Sequence, residues 1–359
     1  MIKFLDLHKL NKPFKDQFLA KTTAFLDNGW YILGNEVKQF ETSFASFSKA
    51  KHCIGVGNGL DALVLILKAH IQLGNIQKGD EVIVPANTYI ASVLAILEAD
   101  LTPVFVEPSF ETYNIDPNLI EDIITSKTKA ILVVHLYGQL AEMDKINAIC
   151  ESHNILIIED AAQAHGLTFK GNHTRAFSFY PGKNLGALGD GGAITTSDAN
   201  LAEVLFSLRN YGSTKKYHND YVGVNSRLDE LQAAYLNIKL PHLNAENESR
   251  KKAAKRYLSE IKNHKIHLPI WNNFNDHIFH LFVIRTESRD TLQEYLYKNG
   301  IETVIHYPIP PHKQKALLEF NHLSLPITEK IHQEVLSLPM SSVLTDEEIK
   351  HIIATLNSY

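Results

Sequence analysis

Short apolar runs alternate with helix-length segments over the first half of the chain, and this alternation constrains the fold more than any other feature. The runs are rich in valine and isoleucine and are too short for helices; they lie at residues 81–84, 103–106, 130–135, 155–158 and 192–196. The intervening segments predict helices at 59–73, 88–99, 117–125 and 141–153. Strands that alternate with helices pair in parallel and form a sheet covered on both faces. The sequence therefore predicts an α/β fold with a mostly parallel central sheet.

The pattern changes after residue 196, where longer helical segments replace the alternation. Helices are predicted at 199–209 and 228–261, and Pro241 should bend or interrupt the second one. The remainder predicts strands at 277–284 and 301–305, a proline-rich loop at 307–311, and helices at 288–299, 327–337 and 346–356. We therefore expect a large domain, residues 1–240, and a smaller C-terminal α/β domain, residues 241–359.

Composition disfavours several kinds of partner. The formal net charge is −5 and there is no sustained basic tract, so we expect no nucleic acid partner. No stretch approaches the roughly 20 apolar residues of a membrane span, and no secretion signal is evident at the amino terminus. Cys53 and Cys150 form neither a disulfide framework nor a metal-binding pair. We expect a cytoplasmic protein without a membrane partner.

One lysine stands between an aromatic strand and a glycine-rich turn. Lys183 follows the run Phe-Ser-Phe-Tyr-Pro-Gly at 177–182 and precedes the turn Gly-Asp-Gly-Gly at 189–192. Apolar surroundings lower the pKa of a lysine, so that its neutral amine can attack a carbonyl group. Taken alone, an exposed loop lysine is the commoner alternative. The segments around Lys183 decide between the two interpretations.

An apolar strand upstream ends in two carboxylates, Glu159 and Asp160. Strand alternation directs their side chains to opposite faces, so only one of them can meet a ligand beyond the strand end. A buried carboxylate needs a partner, and a protonated pyridine nitrogen is a suitable one; capping the next helix is the alternative role for Asp160. A lysine that forms a Schiff base and an acid that keeps the ring nitrogen protonated are what pyridoxal 5'-phosphate requires as an electron sink.

Further residues suit the rest of this cofactor. The glycine-rich segment 55–62 runs into a helix, whose amide groups and positive end favour a phosphate. Ser178 can offer its hydroxyl to the same group. Gln163 can donate to the phenolic oxygen of the ring, and Tyr89 can stack on its face. Each feature alone has an ordinary alternative, a plain turn or a buried aromatic residue among them.

Together these segments resemble the DegT/DnrJ/EryC1/StrS family of sugar aminotransferases, which are fold-type I pyridoxal phosphate enzymes. The matching blocks lie at 29–34, 79–86, 134–138, 159–166, 178–186, 208–212 and 225–233. The resemblance implies that Lys183 carries the cofactor and moves the proton, and that Asp160 pairs with the pyridine nitrogen. It also implies that Gln163 lies near the ring oxygen and that Tyr89 stacks on the ring.

The resemblance further implies an active site shared between two subunits of a homodimer. Ser178 and the backbone of Gly59 and Leu60 would hold the phosphate, together with Asn225 of the neighbouring subunit. Many relatives have threonine where this chain has Leu60, so the phosphate must rely on backbone donors there. The segment 166–176 is shorter than in most members and is expected to lie near the substrate.

The motif at 177–187 looks like that of the 3-aminotransferases of dTDP-linked 3-keto-6-deoxyhexoses. This likeness implies a nucleotide sugar substrate, L-glutamate as amino donor and a role in lipopolysaccharide O-antigen biosynthesis. It leaves the C4 epimer and the nucleotide open, as well as another keto position or a UDP-linked sugar.

Four residues are expected to bind the substrate. Tyr31 is one of them, and the motif at 306–312 contributes His306, Tyr307 and His312. Histidines that ionise near neutral pH would suit a diphosphate. A zinc pair is the alternative, but no cysteine or acid accompanies them, so no metal is expected.

Two rival functions remain. The sugar 3-dehydratase branch of the family uses a histidine in place of the lysine, which Lys183 argues against. A non-catalytic regulator with the same fold has no need to keep Lys183, Asp160, Gln163 and Ser178 together.

Overall fold

A seven-stranded sheet forms the centre of the molecule, in a computed structural model that describes residues 1–271 and 273–359. Its strands are β1 His52–Val56, β2 Glu81–Pro85, β3 Thr102–Val106, β4 Thr128–Val134, β5 Leu156–Asp160, β6 Thr174–Ser178 and β7 Gly192–Thr196. They lie in the order β1-β7-β6-β5-β4-β2-β3. Strand β7 is antiparallel to β1 and β6, and the remaining pairs are parallel. The predicted mostly parallel α/β sheet is confirmed.

The chain forms helices that cover both faces of this sheet and helices that pack elsewhere, several of them in the C-terminal part. They are α1 Leu7–Asn11, α2 Lys15–Asn28, α3 Asn35–Phe47, α4 Gly59–Gln72, α5 Ile90–Glu98, α6 Met143–His153, α7 Ala199–Leu208, α8 Glu230–Lys239, α9 Leu243–Glu260, α10 Arg289–Lys298, α11 Pro326–Glu334 and α12 Asp346–Ser358. Strand β4 illustrates how the helices bury both faces of the sheet. Ala130 and Leu132 enter the apolar core that contains α4, α5 and α7, whereas Ile131 and Val133 enter the core that contains α3 and α6. A strand that is buried on both faces reads as a continuous apolar run.

A third apolar core lies in the C-terminal part of the chain. It forms between α9, α10 and α12 and a two-stranded antiparallel sheet. A separate hairpin, β8 Ser213–Lys215 and β9 His218–Asn219, lies between α7 and α8, and the strands of the C-terminal sheet are β10 Phe282–Arg285 and β11 Val335–Leu338. The fully buried side chains of the third core include Tyr257, Phe282 and Leu296. The division of the chain after residue 240 stays a prediction.

One predicted α-helix is replaced in the structure by shorter turns. The segment 117–125 forms two short 3₁₀ turns, Pro117–Leu119 and Glu121–Ile123, rather than an α-helix. The segment 228–261 is interrupted as predicted, because Pro241 lies in a 3₁₀ turn between α8 and α9. Among the described residues no helix has both the length and the apolar character needed to cross a bilayer.

The C-terminal strand predictions were too long. Only residues 282–284 of the predicted strand 277–284 pair in β10, which continues to Arg285, and 301–305 makes isolated bridges to residues 2 and 337. The predicted helix 327–337 ends at Glu334, and the chain continues as β11. Glu334 is buried and accepts a hydrogen bond from Arg285 at 2.9 Å, which ties the start of β11 to the end of β10.

The first three helices and strand β1 were not predicted. Helix α3 did carry a signal, since Val37, Phe40 and Phe44 recur at helical spacing and are buried. Strand β1 is short and contains a glycine, and it is stabilised by its antiparallel pairing with β7. Such pairing joins residues far apart in the sequence, which a local pattern does not reveal.

Candidate active site

A cavity of about 670 Å³ opens beyond the carboxyl ends of β4, β5 and β6. Ligands in open α/β sheets bind at that edge because the loops there converge on one crevice. The cavity brings together most of the predicted site residues, namely Gly59, Leu60, Tyr89, Asp160, Gln163, Ser178, Lys183, His306 and Tyr307. Three others do not line it, namely Tyr31, Asn225 and His312.

Lys183 projects into this cavity from the turn that follows β6. Its backbone N–H donates to the carbonyl of Tyr180 at 2.8 Å, which holds the turn closed. Burial lowers the pKa of Lys183 to about 8, and the negative charge of Asp160 opposes that shift without cancelling it. A substantial fraction of the amine is therefore neutral near physiological pH, as a nucleophile requires.

The lowered pKa predicts when the amine reacts with an aldehyde. We expect the rate at which the cofactor-free protein captures pyridoxal phosphate to rise with pH around a midpoint of about 8, because attack requires the neutral amine. Stopped-flow absorbance between about pH 6 and about pH 11 measures this profile, with a free lysine derivative as the control. A midpoint near 10.5, the ordinary lysine value, would contradict the buried environment.

Asp160 lies at the end of β5 and is buried. One carboxylate oxygen accepts from the Ser92 hydroxyl at 2.9 Å, and the other accepts from the Ala162 N–H at 3.1 Å. Ser92 in turn lies 2.9 Å from the Thr88 hydroxyl. Burial raises the pKa of Asp160, and these two hydrogen bonds partly offset the effect. The chain does not continue into an α-helix directly after Asp160. The capping alternative is therefore limited to the hydrogen bond from the Ala162 N–H.

Glu159, the rival acid, points to the opposite face. Its carboxylate pairs with His135 Nε2 at 2.8 Å and receives two hydrogen bonds from Arg175, both at 3.0 Å. The Arg175 guanidinium lies 4.4 Å from the ring centre of Phe169. Burial alone would raise the pKa of Glu159, but the bonds to His135 and Arg175 outweigh it and the pKa is lowered. Glu159 is thus an internal ion-pair partner, and Asp160 is the acid that faces the cavity.

The N-terminus of α4 forms one end of the cavity. Asn58 caps this helix by accepting from the Asp61 N–H at 2.8 Å. The first-turn amides of Gly59 and Leu60 have no partners within the helix, and the helix dipole favours an anion there. A Cβ on Gly59 would stand 2.7 Å from the Cβ of Ser178. Glycine thus lets the Ser178 hydroxyl and the helix amides approach one anion together.

Gln163 is held between two tyrosines. Its Oε1 accepts from the Tyr137 N–H at 2.6 Å, and its Nε2 donates to the Tyr307 hydroxyl at 3.1 Å. Burial raises the pKa of Tyr307 well above its ordinary value, so this phenol stays protonated. The Tyr307 ring also packs 5.1 Å from the ring of Tyr89, centre to centre. One end of the cavity is therefore walled by aromatic rings, as stacking on a flat cofactor requires.

The two histidines of the 306–312 motif do not ionise near neutral pH, which corrects one expectation. Burial and the nearby charge of Lys183 lower the pKa of His306 to about 4. The pKa of His312 is also lowered, again mainly by burial, although its bond to Glu329 opposes the shift. Both imidazoles are neutral at pH 7 and cannot offer a positive charge to a diphosphate.

His312 lies outside the cavity and is fully buried. Its Nε2 is 3.1 Å from a carboxylate oxygen of Glu329, and its ring packs near Phe105. These contacts are internal to the chain and leave no route to a ligand in the cavity. The described residues contain no group of three or more potential metal-ligating side chains.

Tyr31 and Asn225 are exposed and lie away from the cavity of their own chain. The Tyr31 ring packs against Phe25 at 4.9 Å, and Asn225 forms an isolated bridge with Asn210. Within a single chain, therefore, neither residue lies where it could contact a ligand in the cavity. Their predicted roles depend on a second subunit and stay predictions.

The segment 166–176 does not approach the cavity, contrary to expectation. Lys170 pairs with Asp144, and His173 bonds to Asn147 at 2.9 Å, so the segment packs on α6. The reason is topological. Because β6 is parallel to β5, the connecting loop must return to the opposite edge of the sheet before β6 begins.

Two cavity residues, Arg250 and His280, and one residue behind the cavity wall, Ser92, escaped the sequence patterns. Ser92 contacts the site through Asp160 and lies inside an apolar helix. His280 falls in an apolar run that predicted a buried strand. Neither carried a local signal, because each meets the site only through long-range packing.

Comparisons with known proteins agree with this geometry. The family model described as the DegT/DnrJ/EryC1/StrS aminotransferase family matches residues 13–357. A dTDP-3-amino-3,6-dideoxy-alpha-D-galactopyranose transaminase of Aneurinibacillus thermoaerophilus is 55% identical over 100% of this chain and 99% of its own length.

Two solved structures share the fold across almost the whole chain. The crystal structure of S. venezuelae DesV in complex with a ketimine intermediate superposes with a TM-score of 0.96, at 44% identity, covering 99% of this chain and 98% of DesV. NtdA of Bacillus subtilis, with bound cofactor PMP, has a TM-score of 0.91 and 33% identity, covering 98% and 83% of the two chains.

The cavity thus combines a lysine with a near-neutral pKa, a buried carboxylate, an anion site at a helix N-terminus and an aromatic wall. Groups of these kinds suit pyridoxal phosphate, so the residues that line the cavity fit this cofactor. The chain belongs to the DegT/DnrJ/EryC1/StrS aminotransferase family and is a pyridoxal phosphate-dependent aminotransferase.

Proposed function

We propose that this enzyme transfers an amino group from L-glutamate to a dTDP-linked 3-keto-6-deoxyhexose, which yields the 3-amino-3,6-dideoxyhexose. The observation that carries the proposal is that Lys183 and Asp160 line the same cavity. They do so in a chain that is 55% identical to a transaminase named for such a sugar. The name of that relative favours the galacto epimer.

Different residues of this chain would hold the ring and the phosphate of the cofactor and move the proton. When bound, pyridoxal phosphate supplies an electron sink for the bonds at the carbon that exchanges its amino group. Asp160 would hold the pyridine N–H with its buried carboxylate, while Ser178 and the first turn of α4 would hold the phosphate. Lys183 Nζ would take the proton from the carbon of the amino donor and deliver it to the cofactor, and in the second half-reaction it would carry a proton from the cofactor to the sugar carbon. Its pKa of about 8 lets it accept and donate a proton near neutral pH.

Three neutral side chains line the cavity beside the cations Lys183 and Arg250. His306 and His280 are uncharged at pH 7, and Tyr307 keeps its proton. Such groups exchange hydrogen bonds with hydroxyl and carbonyl oxygens, which suits a carbohydrate ring. Burial lowers the pKa of Arg250 to about 10, so it stays charged and suits an anionic group of a substrate.

The choice of sugar is tested by assaying both C4 epimers. We expect kcat/KM for the dTDP-linked 3-keto-6-deoxy galactose substrate to exceed that for the glucose epimer by about tenfold or more. Mass spectrometry of the amino sugar product checks the reaction, and the UDP-linked sugar serves as competitor. Preference for the UDP-linked or a 4-keto sugar would overturn the substrate assignment.

Addition of L-glutamate, followed by the keto sugar, separates the broader alternatives. A change in the visible spectrum of the bound cofactor is expected from an aminotransferase. A regulator would show no change with glutamate, and a dehydratase would release a dehydrated sugar instead of an amino sugar. A role in lipopolysaccharide O-antigen biosynthesis, implied by the family resemblance, and a cytoplasmic location, expected from the composition, stay predictions.

We also infer a homodimer whose active sites are shared. Large apolar side chains are exposed beside Asn225: Tyr217 and Val222 have 87% and 91% of their surface accessible. Residues 30–32 are also exposed, and a bridge between residues 32 and 229 places them near the same surface. Exposed apolar clusters of this kind mark protein interfaces. A second copy would cover them and bring Asn225 to the phosphate end of the other cavity.

Mixing two inactive variants tests the shared site. Lys183→Ala lacks the nucleophile, and Asn225→Asp would place a negative charge beside the phosphate. A mixed dimer contains one site with both lesions and one site with neither. After random exchange of subunits, about a quarter of the wild-type activity should return. No recovery, in a mixture shown by mass spectrometry to contain mixed dimers, would mean that Asn225 serves its own chain.

A further inference from the structure

A chain of three side-chain hydrogen bonds sets the orientation of His280 at the cavity wall. At its far end, Asn247 Nδ2 donates to the carbonyl oxygen of His165 at 2.8 Å. A carbonyl oxygen can only accept a hydrogen bond. Asn247 must therefore direct its own oxygen, Oδ1, toward Asn184.

The next two bonds follow from the first. Asn184 Nδ2 donates to Asn247 Oδ1 at 2.8 Å, which leaves Asn184 Oδ1 facing His280 Nδ1 at 2.9 Å. An amide oxygen is an acceptor, so His280 Nδ1 must carry the proton. All of the side chains in this chain of bonds are buried, and water does not compete for them.

The other ring nitrogen of His280 therefore carries a lone pair. Burial lowers the pKa of His280 well below its ordinary value, and the charges of Lys183 and Arg250 add to the effect. Nε2 makes no hydrogen bond within residues 1–271 and 273–359, and it is not among the enclosed polar atoms. His280 lines the cavity together with Lys183, so Nε2 faces that space.

Several other acceptors in this part of the cavity already have partners. Both oxygens of Asp160 already accept hydrogen bonds, and Gln163 Oε1 accepts from the Tyr137 N–H. A bound sugar buries several hydroxyl groups, and each buried O–H needs an acceptor. L-Glutamate has no hydroxyl outside its carboxyl groups, which are ionised at neutral pH.

We infer that His280 is a specificity-determining residue whose Nε2 accepts a hydrogen bond from a ring hydroxyl of the keto sugar. This inference rests on the proposed function. It assigns His280 to the half-reaction with the sugar and gives it no part in the half-reaction with glutamate.

Two substitutions separate this role from a merely structural one. In His280→Asn, the side-chain N–H can replace Nδ1–H and keep the bond to Asn184, but the acceptor in the cavity is lost. In His280→Gln, the longer side chain can place its oxygen near the position of Nε2, but the bond to Asn184 is lost. A structural role predicts more damage from glutamine, and the proposed role predicts more damage from asparagine.

Single-turnover kinetics of each half-reaction, followed by cofactor absorbance, provide the measurement. We expect His280→Asn to slow the sugar half-reaction by about 30-fold or more and the glutamate half-reaction by no more than about twofold. His280→Gln should retain more of the sugar half-reaction. Equal slowing of both half-reactions, or greater damage from glutamine, would overturn the inference.

The tautomer itself can be observed without catalysis. In ¹⁵N-histidine-labelled protein, the His280 signals, identified by their loss in His280→Gln, should show a protonated Nδ1 and an unprotonated Nε2. The opposite tautomer would overturn the inference even if the variants lose activity. If glutamate fails to change the cofactor spectrum of the wild type, the proposed function fails; if it does change it and His280→Asn uses the sugar normally, only the role of His280 fails.

Discussion

Replacement of Lys183 by alanine is expected to lower kcat/KM by about 10⁴-fold or more, because it removes both the nucleophile and the proton carrier. The phosphate site at α4 and the carboxylate of Asp160 remain in place, so the variant should still bind pyridoxal phosphate without a covalent bond. Equilibrium dialysis measures the binding, and the visible spectrum reports the loss of the covalent link.

A control lysine is available nearby. Lys170 is exposed, pairs with Asp144 on α6 and lies outside the cavity. Lys170→Ala should therefore keep the spectrum and activity of the wild type. Small primary amines added to Lys183→Ala should restore part of the rate, since they can move the same proton. A Lys183→Ala variant with wild-type turnover would refute the assignment of the nucleophile.

Asp160→Asn is expected to lower kcat/KM by about 10³-fold while leaving the fold intact. The amide has the size of the carboxylate but no charge, so it cannot hold a proton on the pyridine nitrogen. Without that proton the ring loses most of its capacity to accept electrons. Spectral titration of the bound cofactor reports the ring charge, and circular dichroism confirms that the protein is folded.

The neighbouring residue provides a control with the opposite outcome. Glu159→Gln should leave the cofactor spectrum unchanged, because Glu159 faces Arg175 and His135 rather than the cavity. It should instead destabilise the fold by about 3–5 kcal/mol, since the buried Arg175 would lose its counter-charge. Chemical denaturation measures this loss. A normal Asp160→Asn enzyme beside an altered Glu159→Gln spectrum would reverse the roles of the two acids.

The pKa of Glu159 also predicts how stability depends on pH. The pKa is lowered in the folded protein, so its pairs stabilise the fold above the unfolded value of 4.5. This contribution is lost as the pH falls through the folded pKa. The same acid that the sequence left as a candidate for catalysis therefore contributes to resistance against acid unfolding.

The central strands were predictable because each combines a short length with continuous apolar character. Those properties follow from burial between two helical layers and do not depend on which strand lies next. The C-terminal strands were overextended, since the run 277–284 is apolar for a different reason. Residues 277 and 279 stack on each other outside the sheet, with ring centres 3.9 Å apart.

The candidate site was predictable where its residues follow strand ends directly. Asp160, Ser178 and the turn before α4 are carried to one edge because parallel strands end there together. His312 and the segment 166–176 were misplaced, because proximity in the sequence to a motif does not specify the side of the sheet on which a residue lies.

The sequence by itself determined the α/β alternation, the lysine turn and the helix that begins at a glycine-rich loop, since each depends on residues close together in the chain. Only the tertiary structure decided that Glu159 is held in an internal ion pair, that His306 is neutral and that His280 presents a lone pair. The bonds that set the ring of His280 join residues 165, 184, 247 and 280. Protonation depends on burial and on hydrogen-bond partners, and folding supplies both from distant parts of the chain.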